Sequence, residues 1–468
     1  MLNKISTDTR SINPKDTYLA LKGDKFDGHD FISEALAKGA SKVYSALSLE
    51  ELRANGMSIS DADSLKIHKV QDTLETYQRL ATEYRLSVDP LVIAVTGSNG
   101  KTTTKEMLAA VLGQHFKIHY SEANFNNEIG VPKTILSMSA DTEILILEMG
   151  MRGLGQIDLL SKIAIPNICI ITCIGTAHIE ILGSRDNIRK AKMEIINYIE
   201  DFIPKAQSLS ASVLKKKNLE LLNKTLIIDE DLYETLRRNN FINPNTNKKI
   251  HVENILHFNS KANFKLNVIA NAGIDADANA VFRVAELLGL SEEQVQSGLL
   301  SYKALEGRGT MYLDKALNLF INDTYNSSPE SLILSIQGVI SKFEGLKILI
   351  VIGEILENKA ELIEAAIQEV QGLVEVNNDL DILDLRNIAM EDRKGLFFRK
   401  IMADNSNEDQ EGGLEKATLG LRSIDYLTLD GILKAQENNS APRQISRVIY
   451  LKGSRGAKLE SLFLLDDH

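Results

Sequence analysis

The sequence predicts an α/β protein of three domains, a small N-terminal α/β unit, a central mostly parallel sheet and a C-terminal Rossmann-like α/β unit. Three observations predict it. Short apolar runs without turn residues (LVIAVTG from Leu91, EILILEMG from Glu143, ICIITCIG from Ile168) alternate with stretches of helical spacing, as expected of parallel strands buried on both faces. One of these runs leads through a glycine-bearing loop directly into a helical pattern in which Met107, Leu108, Val111 and Leu112 recur at helical spacing. The chain has 468 residues, which is room for about three domains.

Taken in order, residues 1–88 form the first unit: DTYLALKG reads as a strand, DFISEALAKGA as a helix ending on Gly39, and SKVYSAL as a second strand. Residues 89–306 form the central unit, although the lysine- and asparagine-rich stretch 205–265 resists assignment. The glycine-bearing break LEGRGTM, Leu305 to Met311, marks the second boundary. Residues 307–468 then carry a further series, LNLFINDTYN, GLKILIVIGE and RVIYLKGS, with ADNSNEDQEGG (403–413) as a solvated loop.

Composition excludes several classes of function. A 44% apolar and 25% charged content is ordinary for a globular chain, and a net charge of -11 opposes a nucleic-acid partner, so phosphate recognition has to be local. The two cysteines, Cys169 and Cys173, share one apolar run and read as buried reduced thiols on one strand face. The N-terminus MLNKISTDTRS is too polar for a signal peptide, and no run is long enough to span a membrane. A cytoplasmic, monomeric protein is expected.

The chemistry starts at VTGSNGKTTT. Gly97, Ser98, Asn99 and Gly100 let successive N–H groups converge on one point at a helix N-terminus, Lys101 adds a mobile cation, and Thr102 and Thr103 add hydroxyls. This is an anion site suited to a polyphosphate, with Thr102 facing a magnesium ion, and it makes the central domain P-loop ATPase-like. Val95 stands where the strict motif has its leading glycine. Glu148 ends the strand EILILEMG, beyond which ligands of open α/β sheets sit, so its carboxylate is placed to hold the same metal. His178 leaves the end of the next run; by residue type alone it is as readily structural as a ligand. Lys190 and Lys192, on NIRKAKMEII, read as a solvated basic face. In the third unit, Asp323 ends a strand, Asn326 to Pro329 form a turn, and Arg308 lies in the preceding break; together they offer a cation and an acid from a separate domain.

These residues resemble the Mur ligase family, the ATP-dependent amide-forming enzymes of peptidoglycan precursor synthesis. TGSNGKTTTKEM is similar to the family's ATP loop, NFNNEIGVP (Asn124 to Pro132) to its substrate-positioning loop, LEMGMRGLGQID with GTAHIEILGS and AKMEI to its central block, and STDTRSINPKDTYLALKG to its uridine-nucleotide domain. The Y-N-x-x-P pattern after Asp323 is most similar to the member that joins D-alanyl-D-alanine to UDP-N-acetylmuramoyl-tripeptide. The resemblance implies ATP and Mg2+ as cofactors, with Lys101 and Thr102 on phosphates and metal, Glu148, His178 and a carbamylated Lys192 on metal, and Arg308, Asp323 and Asn326 on ATP. It further implies Asn126 and Asn127 at the substrate loop and Asp8, Thr9 and Arg10 at the uridine site.

The chain departs from the family pattern at the adenine site. The usual histidine-asparagine pair is missing, Ile274 and Asp275 stand in that stretch, and Asn279 is the remaining candidate for the base. Cys173 replaces a usual asparagine, and Ser327 and Ser328 replace alanine and asparagine. Two rival readings stay open: a related ligase adding a single amino acid, and a nucleotide-binding relative that has lost catalysis.

Overall fold

The computed structural model describes residues 4–388 apart from 24, 123, 201–223, 247, 251, 262, 270, 357 and 378, and beyond these residues 392, 393, 396, 397, 422–424, 429, 445–454 and 459. The expected loop 403–413 lies outside the described residues, as does part of the stretch 205–265.

Three sheets carry the chain. The first holds β1 (Ile5–Ser6), β2 (Thr17–Leu19), β3 (Lys42–Ser45) and β4 (Ile67–Lys69) in sequential order, all parallel. The second holds β5 (Leu91–Thr96), β6 (Ile118–Tyr120), β7 (Ile144–Glu148), β8 (Ile168–Ile171), β9 (Thr225–Asp229) and β10 (Asn254–Phe258), in the order β10-β9-β8-β5-β7-β6. Every neighbouring pair in it is parallel. The third holds β11 (Thr310–Leu313), β12 (Asn318–Asp323), β13 (Ile348–Ile352), β14 (Leu380–Asp384), β15 (Arg422–Ile424) and β16 (Arg447–Lys452), in the order β14-β13-β16-β12-β11-β15. Its strands β14, β13, β16 and β12 run parallel and β11 runs antiparallel to both of its neighbours.

The inner strands β5, β7 and β8 are buried on both faces because they are apolar at successive positions rather than at alternate ones. On β5, Leu91, Ile93 and Val95 pack with Met107, Leu108, Val111, Val281 and Val284, while Val92 and Ala94 pack on the opposite face with Val131, Ile135, Leu160 and Ile188. The helix Lys101–Leu112 that follows β5 is covered by the helices Ala272–Leu287 and Glu292–Ser301. A Cβ at Gly298 would fall 2.6 Å from the Cα of Val111, so the last of these helices lies backbone to backbone on the helix of the phosphate loop. Residues near 272–301 therefore pass beside the loop at Gly97–Thr103 although they lie far along the chain.

The helix Thr73–Val88 connects the first unit to the second. Asp72 caps its start and Asp89, at φ 57°, ends it in a left-handed turn. Arg85 is buried and donates through Nε to the carbonyl of Ala164 at 2.9 Å and through Nη2 to that of Ile165 at 2.7 Å, which satisfies the last carbonyls of a central-domain helix. Tyr77 and Leu80 pack with Leu19 of the first sheet. One helix thus ties both bodies together. No helix among the described residues is long and apolar enough to cross a membrane.

Candidate active site

A cavity of about 1240 Å3 opens beyond the C-terminal ends of β5, β7 and β8, where an open parallel sheet places its ligands. The phosphate loop forms its floor. Gly100 has φ 83° and caps the helix that begins at Lys101. A Cβ on Gly100 would collide with the Asp277 carboxyl, and a Cβ on Gly97 with the Thr172 hydroxyl, so the loop's bare backbone is required by its neighbours as well as by its turn. Ser98 accepts from the N–H of Gly175 at 2.9 Å, and Asn99 donates its N–H to the sulfur of Cys173 at 3.4 Å. The Lys101 ammonium donates to its own loop at the Gly97 carbonyl, 2.8 Å. Thr103 lines the cavity beside Tyr302.

Glu148 is the centre of a polar network. Its carboxylate is buried at the end of β7 and accepts from the Thr102 hydroxyl at 2.9 Å and from the Asn126 amide at 2.9 Å. Arg308 reaches in from the third domain and donates to the Thr102 hydroxyl at 3.2 Å, its guanidinium 4.3 Å from the centre of the Tyr325 ring. Asn127 accepts from the Gly130 N–H at 2.8 Å, a bond within the turn that leads from Asn126 into the helix Gly130–Ser137.

His178 follows the loop that leaves β8 at Ile171; with φ 66° it caps the start of the short helix Ile179–Leu182. Burial, with Lys101, Lys192 and Arg152 nearby, pushes it down to about 4, which leaves a neutral imidazole fit to donate a lone pair. Lys192 corrects the expectation of a solvated basic face: it is 1% exposed on the inner side of the helix Arg185–Met193 and lines the cavity, whereas Lys190 on the outer side stays half exposed. Burial first, and then Lys101, hold its amine well below the usual lysine range. Cys173 also departs from expectation, because β8 ends at Ile171 and the thiol sits past the strand end in the cavity wall rather than beside Cys169 in the core.

The third domain closes the cavity from above. Asp323 ends β12 beside Lys452, its parallel partner on β16, and accepts from Lys452 Nζ at 2.6 Å and from the Tyr450 hydroxyl at 2.7 Å. Asn326 is exposed at the cavity edge, its amide oxygen holding the Ser327 N–H at 3.0 Å. Ser328 donates to the Asn99 side chain at 3.2 Å and Glu330 accepts from the Thr176 N–H at 2.9 Å, so the two domains meet on both sides of the phosphate loop.

The remaining candidates lie apart. Asn279 does not line the cavity: its amide donates to the carbonyls of Asn259 and Lys261 and accepts from Asn263, so its hydrogen bonds hold the segment 259–263. Instead, the apolar residues Val268, Ile269, Ile274 and Leu334 line the cavity near the helix Ala272–Leu287, together with the polar residues Asn271, Asp277, Ser331 and Ser335. Asp8, Thr9 and Arg10 form a short turn in the first unit, where Asp8 grips the Arg10 guanidinium at 2.7 Å, and they too lie outside the cavity. Spacing alone did not reveal Asp277, Glu330 or Lys452, each brought in by an element whose partner is distant in sequence.

A family model described as Mur ligase middle domain matches residues 95–273, and one described as Mur ligase family, catalytic domain, matches residues 2–85. The chain is 31% identical over 467 residues to the UDP-N-acetylmuramoyl-tripeptide--D-alanyl-D-alanine ligase of Bacillus subtilis (strain 168), covering 99% of this chain and 92% of that protein. It is 36% identical over 369 residues to the protein of the same name from Synechocystis sp., covering 76% and 73%. In fold it is similar to the MurF ligase of Thermotoga maritima in complex with ADP (TM-score 0.68, 24% identity, covering 98% and 96%). It is likewise similar to MurF from Acinetobacter baumannii (TM-score 0.67, 23% identity, covering 98% and 92%). With the phosphate loop, the Glu148 network and the third-domain Arg308 converging on one cavity, and with relatives matched along nearly its whole length, the chain belongs to the Mur ligase family.

Proposed function

We propose that this protein joins D-alanyl-D-alanine to UDP-N-acetylmuramoyl-tripeptide at the expense of ATP, giving the pentapeptide nucleotide of peptidoglycan synthesis. The relatives that match most of the chain carry this activity in their names. The observation that carries the reading is the convergence of Lys101, Thr102 and Glu148 from the central domain with Arg308 from the third. A carboxylate and an amine do not condense in water, so the tripeptide carboxylate takes the γ-phosphoryl group of ATP, and the dipeptide amine displaces phosphate from the resulting acyl phosphate. Such transfer needs positioning and charge neutralisation more than covalent help. Orientation alone is worth about 7–11 kcal/mol in well-placed systems.

In this reading the loop Gly97 to Thr103 cradles the phosphates, Lys101 and Arg308 neutralise charge that develops on them, and Asp323 and Asn326 complete the nucleotide site from the third domain. The seam made by Ser328 and Glu330 shields the acyl phosphate from water. The residues fit a magnesium ion: Thr102 Oγ1 and one Glu148 oxygen already face each other, and His178 is held neutral. Among the described residues no cluster of three or more His, Cys, Asp and Glu is present, as suits an ion that completes its shell with water and phosphate oxygens. Magnesium, when bound, would neutralise phosphate charge. An ammonium at Lys192 would oppose that ion, but a buried amine kept neutral is the form that combines with carbon dioxide, and the carbamate would supply carboxylate oxygens instead. We assign the uridine end of the substrate to Asp8, Thr9 and Arg10 and its peptide end to Asn126 and Asn127. A cytoplasmic location goes with water-soluble nucleotide substrates.

The test is product identity. Mass analysis after incubation with ATP, the UDP-tripeptide and either D-alanyl-D-alanine or single amino acids should show mass gain with the dipeptide. Addition of a single amino acid in preference to the dipeptide would favour the rival ligase reading.

A further inference from the structure

The cavity is rich in basic side chains: Lys101, Arg152, Arg185, Arg308 and Lys452 all line it. That suits ATP and a substrate carboxylate but repels the third reactant, which arrives as an ammonium. An anion must receive it. Most acids of the cavity wall are already engaged or solvated. Both Glu148 oxygens accept bonds, Asp323 is held by Tyr450 and Lys452, and Asp277 is tied beneath the loop by the Thr104 hydroxyl at 3.0 Å. Glu128 and Asp231 are exposed to solvent.

Glu330 differs from all of these. It follows Pro329 in the first turn of the third-domain helix Pro329–Lys342, and its Oε1 is fixed by the Thr176 N–H of the central domain at 2.9 Å. Its Oε2 is buried and meets no hydrogen-bond donor among the described residues. A buried carboxylate oxygen without a donor is costly, and a charged donor delivered by a ligand would offset that cost. The position also fits. Glu330 lies against Gly175, whose N–H is bonded to Ser98 of the phosphate loop at 2.9 Å, so Oε2 sits at the seam beside the phosphate loop.

We infer that Glu330 receives the ammonium group of the incoming D-alanyl-D-alanine and positions it at the activated carboxyl; one proton passes to water, the free amine attacks the acyl carbon, and phosphate leaves with the second proton of the nitrogen. This rests on the ligase reading above. Glu330 also explains why the third domain must be in place before the amine is held, since the carboxylate is fixed in orientation by Thr176 across the seam.

The test uses the full-length protein and the substitution Glu330→Gln, which keeps the oxygen that accepts from Thr176 but removes the charge. Amide formation is measured with D-alanyl-D-alanine and, separately, with hydroxylamine, a nucleophile that is uncharged at pH 8 and traps the same acyl phosphate as a hydroxamate. The expected result is a KM for the dipeptide raised about 10- to 100-fold, the range for a lost hydrogen bond to a charged group, with the ratio of dipeptide to hydroxylamine rates falling by a similar factor. A wild-type KM for the dipeptide in Glu330→Gln would overturn the inference, as would an equal loss with both nucleophiles, which would make Glu330 a closure contact. Thermal melting of Glu330→Gln reports whether the variant remains folded. Should the unmodified protein form hydroxamate from the UDP-tripeptide and ATP but not use the dipeptide, the ligase reading fails and takes the dipeptide role of Glu330 with it, whereas failure of the inference alone leaves the unmodified protein making the pentapeptide nucleotide.

Discussion

The two ends of the one cavity are built on opposite plans. The phosphate end is made by residues a few positions apart on a single strand–loop–helix, Gly97 to Thr103, and is completed by Glu148 from the adjacent strand β7. The end that we assign to the base is made by residues from separate elements, Val268, Ile269, Ile274 and Leu334, with Asn271, Ser331 and Ser335 as polar neighbours. Even there, the Asn271 amide oxygen is taken up in capping its own helix, accepting from the Gly273 and Ile274 N–H groups at 2.9 and 3.0 Å. Charge and backbone geometry define the first end. Shape defines the second. Nucleotide affinity should therefore come chiefly from the phosphates, and choice of base should be loose.

The largest expected effect breaks the phosphate end. Lys101→Ala should lower ligation by at least about 10³-fold, the scale of losing a charge-stabilising group in phosphoryl transfer, with binding of the uridine substrate nearly intact. Steady-state rates and calorimetric titration with the UDP-tripeptide check this. Equal loss of both functions would mean that the uridine site is not in the separate first domain.

Next in size is Lys192→Ala, expected to cost about 10²-fold or more. Short carboxylic acids in the assay should restore part of the rate, because they replace the carbamate oxygens at the metal. A variant with wild-type rates would leave Lys192 as a buried structural amine.

A smaller effect concerns the acid beneath the loop. Burial pushes Asp277 from its ordinary 3.8 up to about 8, with the Thr104 hydroxyl, Arg308 and Lys101 acting in the opposite sense. The folded state thus holds a proton that the unfolded chain has lost, so stability falls as pH rises from about 4 to about 8. Asp277→Asn should remove this slope, gaining about 1–2 kcal/mol relative to the parent between pH 6 and 8 in chemical denaturation. Parallel pH profiles would show that Asp277 is ionised in the fold.

The smallest effect sharpens the base end. The ratio of kcat/KM for ATP to that for GTP should stay below about 10²-fold, since a site without committed donors and acceptors rejects an analogue weakly. The double substitution Ile274→His, Asp275→Asn should raise it. A high ratio in the parent that does not move in the variant would show that other groups read the base.

This contrast also explains what was legible in the sequence. β5, β7, β8 and β13 announce themselves as apolar runs because each is buried on both faces, and β12 and β16 through the apolar cores Leu319 to Ile321 and Val448 to Leu451. β9 is hidden because its apolar residues Leu226 to Ile228 lie in a stretch rich in lysine and asparagine, and β11 because it follows a glycine-bearing turn and is buried only at alternate positions. Lys192 was misplaced for a related reason. A helix with alternate basic residues reads as solvated until the cavity on its inner side is seen. Asn279 resembled a base-reading amide by residue type, and only its three tertiary partners assign it to holding the segment 259–263.

The central claim is that the phosphate end activates a carboxylate by phosphoryl transfer before any amide forms. It is tested most directly by supplying UDP-N-acetylmuramoyl-tripeptide with 18O in both oxygens of the reacting carboxyl, together with ATP and D-alanyl-D-alanine. The account predicts one 18O atom in inorganic phosphate for each pentapeptide nucleotide made, with the other retained in the new amide. Phosphate free of 18O, or label recovered in AMP, would contradict it.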